Sequence, residues 1–148
     1  MKVYAKICIT LLITLVGAVL VCSTSLAADE PVKAKTSDYV QVYYFHATYR
    51  CKTCTTIEQY SRETIEANFK EQLGNGTLRF DQINFDEPEN RHYLQDYNLT
   101  YRALVIVRYK GGKQVTFKNL EKIWQLKSSK ADFSSYVKTE VEAMLQEL

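Results

Sequence analysis

Charge of neither sign dominates this chain of 148 residues, where 19 Lys and Arg stand against 17 Asp and Glu. The charges are interspersed, so the basic stripe that nucleic-acid binding requires is missing. Lys70, Arg79, Arg102, Arg108, Lys110 and Lys113 read as solvated surface. Histidine is scarce, with His46 and His92 alone, and neither has a ligand-type neighbour at metal-binding spacing. Only two prolines occur, Pro31 and Pro88, so none punctuates the chain after residue 88. Internal repeats and low-complexity tracts are also lacking, which excludes solenoids and propellers. The 46% apolar content is that of one globular domain.

Long apolar runs are limited to one. Lys2 and Lys6 precede an uncharged run, Ile7 to Val21, and the small residues of Ser25-Leu26-Ala27 follow. A basic start, a short apolar stretch and small residues before a cut after Ala27 make residues 1–27 a secretory signal. An uncleaved anchor is the rival, although a span prefers about 20 apolar residues. Lipidation at Cys22 is disfavoured by Val21 just before it, where a small residue is expected. The chain is therefore expected to be exported, to a periplasm or extracytoplasmic face, with membrane attachment through residues 7–27 as the other outcome. Cleavage removes two lysines and no acid, leaving 17 charges of each sign.

The four cysteines then reduce to one pair, because Cys8 and Cys22 fall in the signal and only Cys51 and Cys54 remain. A bridge across so short a loop restrains the unfolded chain little, so chemistry is a stronger reading of this CxxC than structural stapling. A zinc site would ordinarily bring a second ligand pair, and the mature chain has no second CxxC.

Residues 28–38 are polar and aperiodic and read as a linker to a domain at 39–148. Tyr39 to Phe45, rich in β-branched and aromatic residues, predicts a buried strand. Ile57, Ser61, Ile65, Phe69 and Leu73 recur every four residues and predict one helix, stopped at Gly74-Asn75-Gly76. A strand over Thr77 to Phe85 follows, then a helix opened by the acidic turn at Pro88 and running to about Tyr97. Ala103 to Tyr109 and Lys113 to Phe117, joined by Gly111-Gly112, predict a hairpin. A last helix shows Phe133, Val137, Val141, Met144 or Leu145, and Leu148 on its apolar face. Trp124 is expected in the core. The order predicts an α/β domain with a mixed sheet of about four to five strands and helices on both faces.

A CxxC after a buried strand and at the start of a helix resembles the thioredoxin superfamily. Phe80 to Glu89 resembles that family's second core strand and acidic turn, and Tyr97-Asn98-Leu99 its tyrosine-glycine-valine stretch. The resemblance covers Tyr39 to Leu148 and implies a thioredoxin-like fold. It also implies thiol-disulfide oxidoreductase activity without an organic cofactor, protein thiols or disulfides as partners, and a monomer.

The helix start favours a thiolate at Cys51. Cys51 is the candidate nucleophile and Cys54 the resolving thiol, with Arg50, Lys52 and His46 as candidates to stabilise the thiolate. Tyr49 reads as a groove wall or as packing, and His92 as surface. The second reading is capture of a soft metal or trivalent arsenic by Cys51 and Cys54, with His46 as a third ligand.

Two family features are missing. The cis-proline that faces the CxxC corresponds to Ala103, where a trans bond is expected because a cis bond before other residues costs about 2.5–4 kcal/mol. The buried acid beneath the resolving thiol corresponds to Tyr44 or Phe45. The run Tyr43 to Cys54 resembles more closely a smaller branch of exported thioredoxin-like proteins, described as a nitrophenyl-compound reductase subunit encoded with arsenic-resistance genes. That resemblance implies electron transfer or arsenic binding with a membrane partner. Asn75-Gly76-Thr77 and Asn98-Leu99-Thr100 match the glycosylation pattern, for which chance is the better account.

Overall fold

Alternating β-branched and aromatic residues make Tyr39–His46 a strand, β1, whose side chains are buried on both faces. In the computed structural model, which describes residues 37–148, β1 lies beside a second doubly buried strand, β3, at Ala103–Lys110. The outer strands are β2, Leu78–Asn84, and β4, Lys113–Asn119. The sheet has four strands in the order β2-β1-β3-β4. β1 and β2 run parallel, while β3 is antiparallel to both β1 and β4. A mixed sheet of this kind was the expectation for an α/β domain, and it follows from the long crossover between β1 and β2 and the tight turn between β3 and β4. Gly111 and Gly112 both take positive φ, 57° and 74°, as a two-residue hairpin turn requires.

The crossover contains α1, Lys52–Asn68, and α2, Lys70–Asn75, instead of the single helix predicted. The break is local. The Asn68 side chain donates to the Thr64 carbonyl at 2.8 Å, and Phe69, only 3% exposed, drops into the core. Gly76, with φ 82°, ends α2 where the glycines predicted a stop. The helix expected from Pro88 to Tyr97 also divides, into a 3-10 turn at Pro88–Asn90 and a short helix, α3, at His92–Asp96. Asn90 donates to the Asn84 carbonyl at 3.0 Å and to Glu87 at 2.9 Å, which draws that turn tightly onto the end of β2.

A short helix absent from the sequence reading, α4 at Ile123–Leu126, precedes α5 at Lys130–Gln146. α4 corrects the expectation for Trp124. Ile123 takes the core position, and Trp124 stands half-buried at the edge with its ring 5.7 Å from Tyr101.

Two apolar layers sandwich the sheet. On one face Val40, Val42, Tyr44, Leu104 and Ile106 meet Ile57 and Ile65 of α1 and Phe133, Val137 and Val141 of α5. These α1 and α5 residues are the stripes predicted from four-residue periodicity. On the other face Phe45, Val105 and Val107 meet Tyr97 and Leu99, with Tyr43, Tyr93 and Tyr109 around them. Each fully buried aliphatic side chain contributes roughly 1.5–3 kcal/mol. β1 is thus clamped from both faces and both edges, and its end, with the motif that follows, is fixed in place. No described helix is long and apolar enough to cross a membrane. The predicted signal at 1–27 and nearly all of the linker at 28–38 lie outside the described residues.

Candidate active site

The chain leaves β1 at His46 and reaches α1 through five loop residues, with Cys51 as the N-cap in extended conformation at φ −86° and ψ 160°. A helix start leaves several amides without intrahelical partners, and an N-cap side chain ordinarily supplies an oxygen to one of them. Here the acceptor is sulfur: the Cys54 N–H donates to Cys51 Sγ at 3.1 Å. The same sulfur is bonded to Cys54 Sγ in a disulfide whose Cα atoms lie 5.0 Å apart. No acidic residue occupies the first turn of α1. No carboxylate of the first turn therefore opposes the positive end of the helix dipole at Cys51, which favours the anionic form of the sulfur once the bridge is reduced. Cys54 is 1% exposed, while Cys51 is only half-buried. That asymmetry suits an attacking thiol at Cys51 and an internal one at Cys54.

Beneath the bridge lies Tyr44, fully buried, whose hydroxyl donates to the Cys54 carbonyl at 2.8 Å. Burial pushes its phenol up to about 12, against the opposing influence of Arg50 and Arg102. It therefore stays protonated and remains a donor across the working pH range. This is the position where the resemblance put a buried acid, and a neutral hydroxyl anchors the first turn instead. Its only sequence signal was the mismatch with the family pattern.

The three flanking candidates are placed differently from one another. Arg50 forms an ion pair with Glu58, which Arg62 also approaches at 3.8 Å. Much of its field is spent on that carboxylate. Lys52 is exposed at the first helical position. His46 is half-buried at the end of β1, with Nδ1 3.0 Å from the Ala47 carbonyl and its ring 6.2 Å from that of Tyr44. Burial lowers its pKa from the usual 6.5, with Arg50 and Arg102 acting in the same direction and the Ala47 carbonyl and Glu87 against it. In this state the imidazole is neutral near pH 7 and carries a hydrogen bond rather than a charge. Among the described residues no group of three or more His, Cys, Asp or Glu is arranged to hold a metal ion.

Arg102, read from the sequence as solvated surface, instead donates from Nη2 to the Tyr49 carbonyl at 2.6 Å. It ties the loop before the CxxC to the loop before β3. Arg79 and Arg108 are engaged as well, the first 3.3 Å above the Tyr39 ring and the second 3.2 Å from Glu147. Tyr49 does not pack; it is 77% exposed. Ala103 pairs with Phe45 in the sheet, and no cis peptide bond occurs among the described residues. His92 lies on the surface, with Nδ1 2.7 Å from Asp96.

Fold and site together define a class: a thioredoxin-like α/β domain with a CxxC disulfide at the N-terminus of the helix that follows a central strand. No protein-family model and no curated protein matches the chain in sequence. Solved structures similar to it include the thioredoxin pre-protein of Schistosoma mansoni, at 20% identity and TM-score 0.39, covering 66% of this chain and 81% of that one. Thioredoxin O2 of Arabidopsis thaliana is similar at 18% identity and TM-score 0.39, covering 69% and 81%. Thioredoxin of Trypanosoma brucei brucei is similar at 20% and 0.39, covering 68% and 80%. At such identities and scores these likenesses carry nothing about activity, and the class rests on this chain's own strand order and motif.

Tyr44→Phe keeps the ring and removes the bond to Cys54, so it should lower unfolding stability by about 1 kcal/mol, measurable by urea denaturation. An unchanged midpoint would show that the bond is not a net stabiliser. For His46, the unfolded chain takes up the proton first as pH falls, because its pKa of 6.5 is the higher one. The stability contributed by the neutral ring is present above that value and is lost as pH falls below it. Between about pH 7.5 and pH 5.5 the wild type should therefore lose stability relative to His46→Gln. Parallel denaturation curves at both pH values would contradict this.

Proposed function

We propose that this chain is an exported thiol-disulfide oxidoreductase that exchanges two electrons with a protein partner through Cys51 and Cys54. The observation that carries the reading is the capping bond from the Cys54 amide to Cys51 Sγ at the start of α1. In the reduced state the Cys51 thiolate attacks a partner disulfide, forming a mixed disulfide and releasing one partner thiolate. Cys54 then loses its proton and attacks Cys51 Sγ. The Cys51–Cys54 disulfide forms, and the second partner thiolate leaves. The dithiol is oxidised by two electrons and the partner reduced by two, and the reverse sequence oxidises a partner dithiol. Export rests on the signal-like residues 1–27, and an N-terminus at Ala28 in the secreted protein would support it.

The second reading is capture of trivalent arsenic or a soft metal by the reduced dithiol, as part of a membrane-associated reductase system. It is favoured by Ala103, which puts a small side chain where the resemblance expects a proline that hinders metal access. The two readings separate experimentally. The reduced protein should reduce insulin disulfides, and Cys51→Ser should abolish that activity while leaving the fold intact. Activity that survives Cys51→Ser removes the first reading. An arsenite adduct on an otherwise exchange-inactive protein, seen by native mass spectrometry, would favour the second.

A further inference from the structure

Large apolar side chains that stand exposed are few among the described residues: Tyr49 at 77%, Tyr101 at 50% and Val115 at 52%. Two of these three stand on loops that meet next to the CxxC. Tyr49 lies on the loop before Cys51 and Tyr101 on the loop before β3, and the Arg102 guanidinium joins the two loops at the Tyr49 carbonyl. From Tyr101 the surface continues to Trp124, 5.7 Å between ring centroids. Lys127 Nζ then donates to the Trp124 carbonyl at 3.0 Å. Lys127 and Ser128 in turn share a surface notch of about 210 Å³ with Lys52, Thr53 and Thr56. A chain of contacts thus runs from Tyr49 to Thr53, the residue between the two cysteines.

The charges lining the notch have one sign. Arg102, Lys127 and Lys52 are cationic, and the notch contains two lysines, hydroxyls and no carboxylate. Carboxylates lie around the rim outside the notch, and one of them is ion-paired. Glu58 is held by Arg50 and Arg62. Asp86 accepts from the Thr48 amide, and Glu87 accepts from Asn84 and Asn90. Within the notch, which Thr53 of the CxxC lines, two lysines thus stand together with no carboxylate between them.

We propose that this rim selects its partner: an extended protein segment whose reactive cysteine is flanked by Asp or Glu, its backbone against Tyr49 and Tyr101 and its carboxylate in the Lys52–Lys127 notch. The proposal rests on the thiol-disulfide reading and names its substrate class. Charge complementarity at an exposed rim acts mainly on encounter and on exclusion of wrong partners, and salt screens it.

The test uses the full chain, reduced and freed of reductant, with three cystine-bridged peptides of equal length whose cysteines are flanked by Glu, Ser or Lys. Each turnover converts Cys51 and Cys54 to their disulfide and the peptide cystine to two thiols, with two electrons and two protons transferred. At low salt the second-order rate constant should fall in the order Glu, Ser, Lys, with about fivefold between the extremes. That spread should shrink at high salt. Lys52→Glu with Lys127→Glu should reverse the order. Lys70→Glu with Lys113→Glu, the same change in net charge at the start of α2 and at the hairpin, should leave it intact. Equal rates for the three peptides, or an order unaffected by the Lys52 and Lys127 changes, would overturn the charge selection while leaving the oxidoreductase standing. Failure to react with any peptide would overturn both.

Discussion

The sulfur of Cys51 closes the first turn of α1, and the chemistry proposed for this molecule depends on that contact. An oxygen in the same place would only start a helix. Because the capping atom is sulfur, the backbone amide that orders the helix is also the group that stabilises a thiolate, and folding and reactivity share one hydrogen bond. The cap is held from below by the Tyr44 hydroxyl on the Cys54 carbonyl, and Tyr44 itself is rigid because β1 is buried between α1 and α5 on one face and the tyrosine-rich layer on the other. The position of a reactive atom is thus inherited from the hydrophobic core through two polar contacts.

Electrostatics around the bridge come from neutral groups as much as from charges. Tyr44 is kept protonated and His46 deprotonated by the same cause, partial or complete removal from water, reinforced for His46 by the two nearby guanidinium groups. Arg50 is turned toward Glu58, so one of the two cations adjacent to Cys51 in sequence serves the flank of the helix. Besides the exposed Lys52, what acts on the sulfur is the helix terminus, whose field is fixed by backbone geometry and does not depend on a flexible side chain.

The fold was legible wherever a periodic pattern met a clear boundary. Glycines marked the ends of α2 and of the hairpin, and the four-residue stripes of α1 and α5 are the faces that pack. Reading failed where side chains compete with the backbone. Asn68 on Thr64 and Asn90 on Asn84 each divided an element that periodicity alone would continue. The cysteine pair was legible as a site because of its place after a strand, but its surroundings were not. Arg102 and Tyr49 are 53 residues apart, and nothing local in either stretch announces their contact. Trp124 was misplaced because size and hydrophobicity suggest burial, whereas a four-residue helix gives the inward position to its neighbour Ile123.

The bond between Arg102 and the Tyr49 carbonyl reaches beyond its own two loops. It grips main chain, so the path of the loop beside the bridge does not depend on which side chain position 49 carries. That side chain points into water and supports nothing beneath it. Shape and preference are thereby assigned to different atoms of one residue, and evolution is able to retune what the site welcomes without first having to rebuild the site.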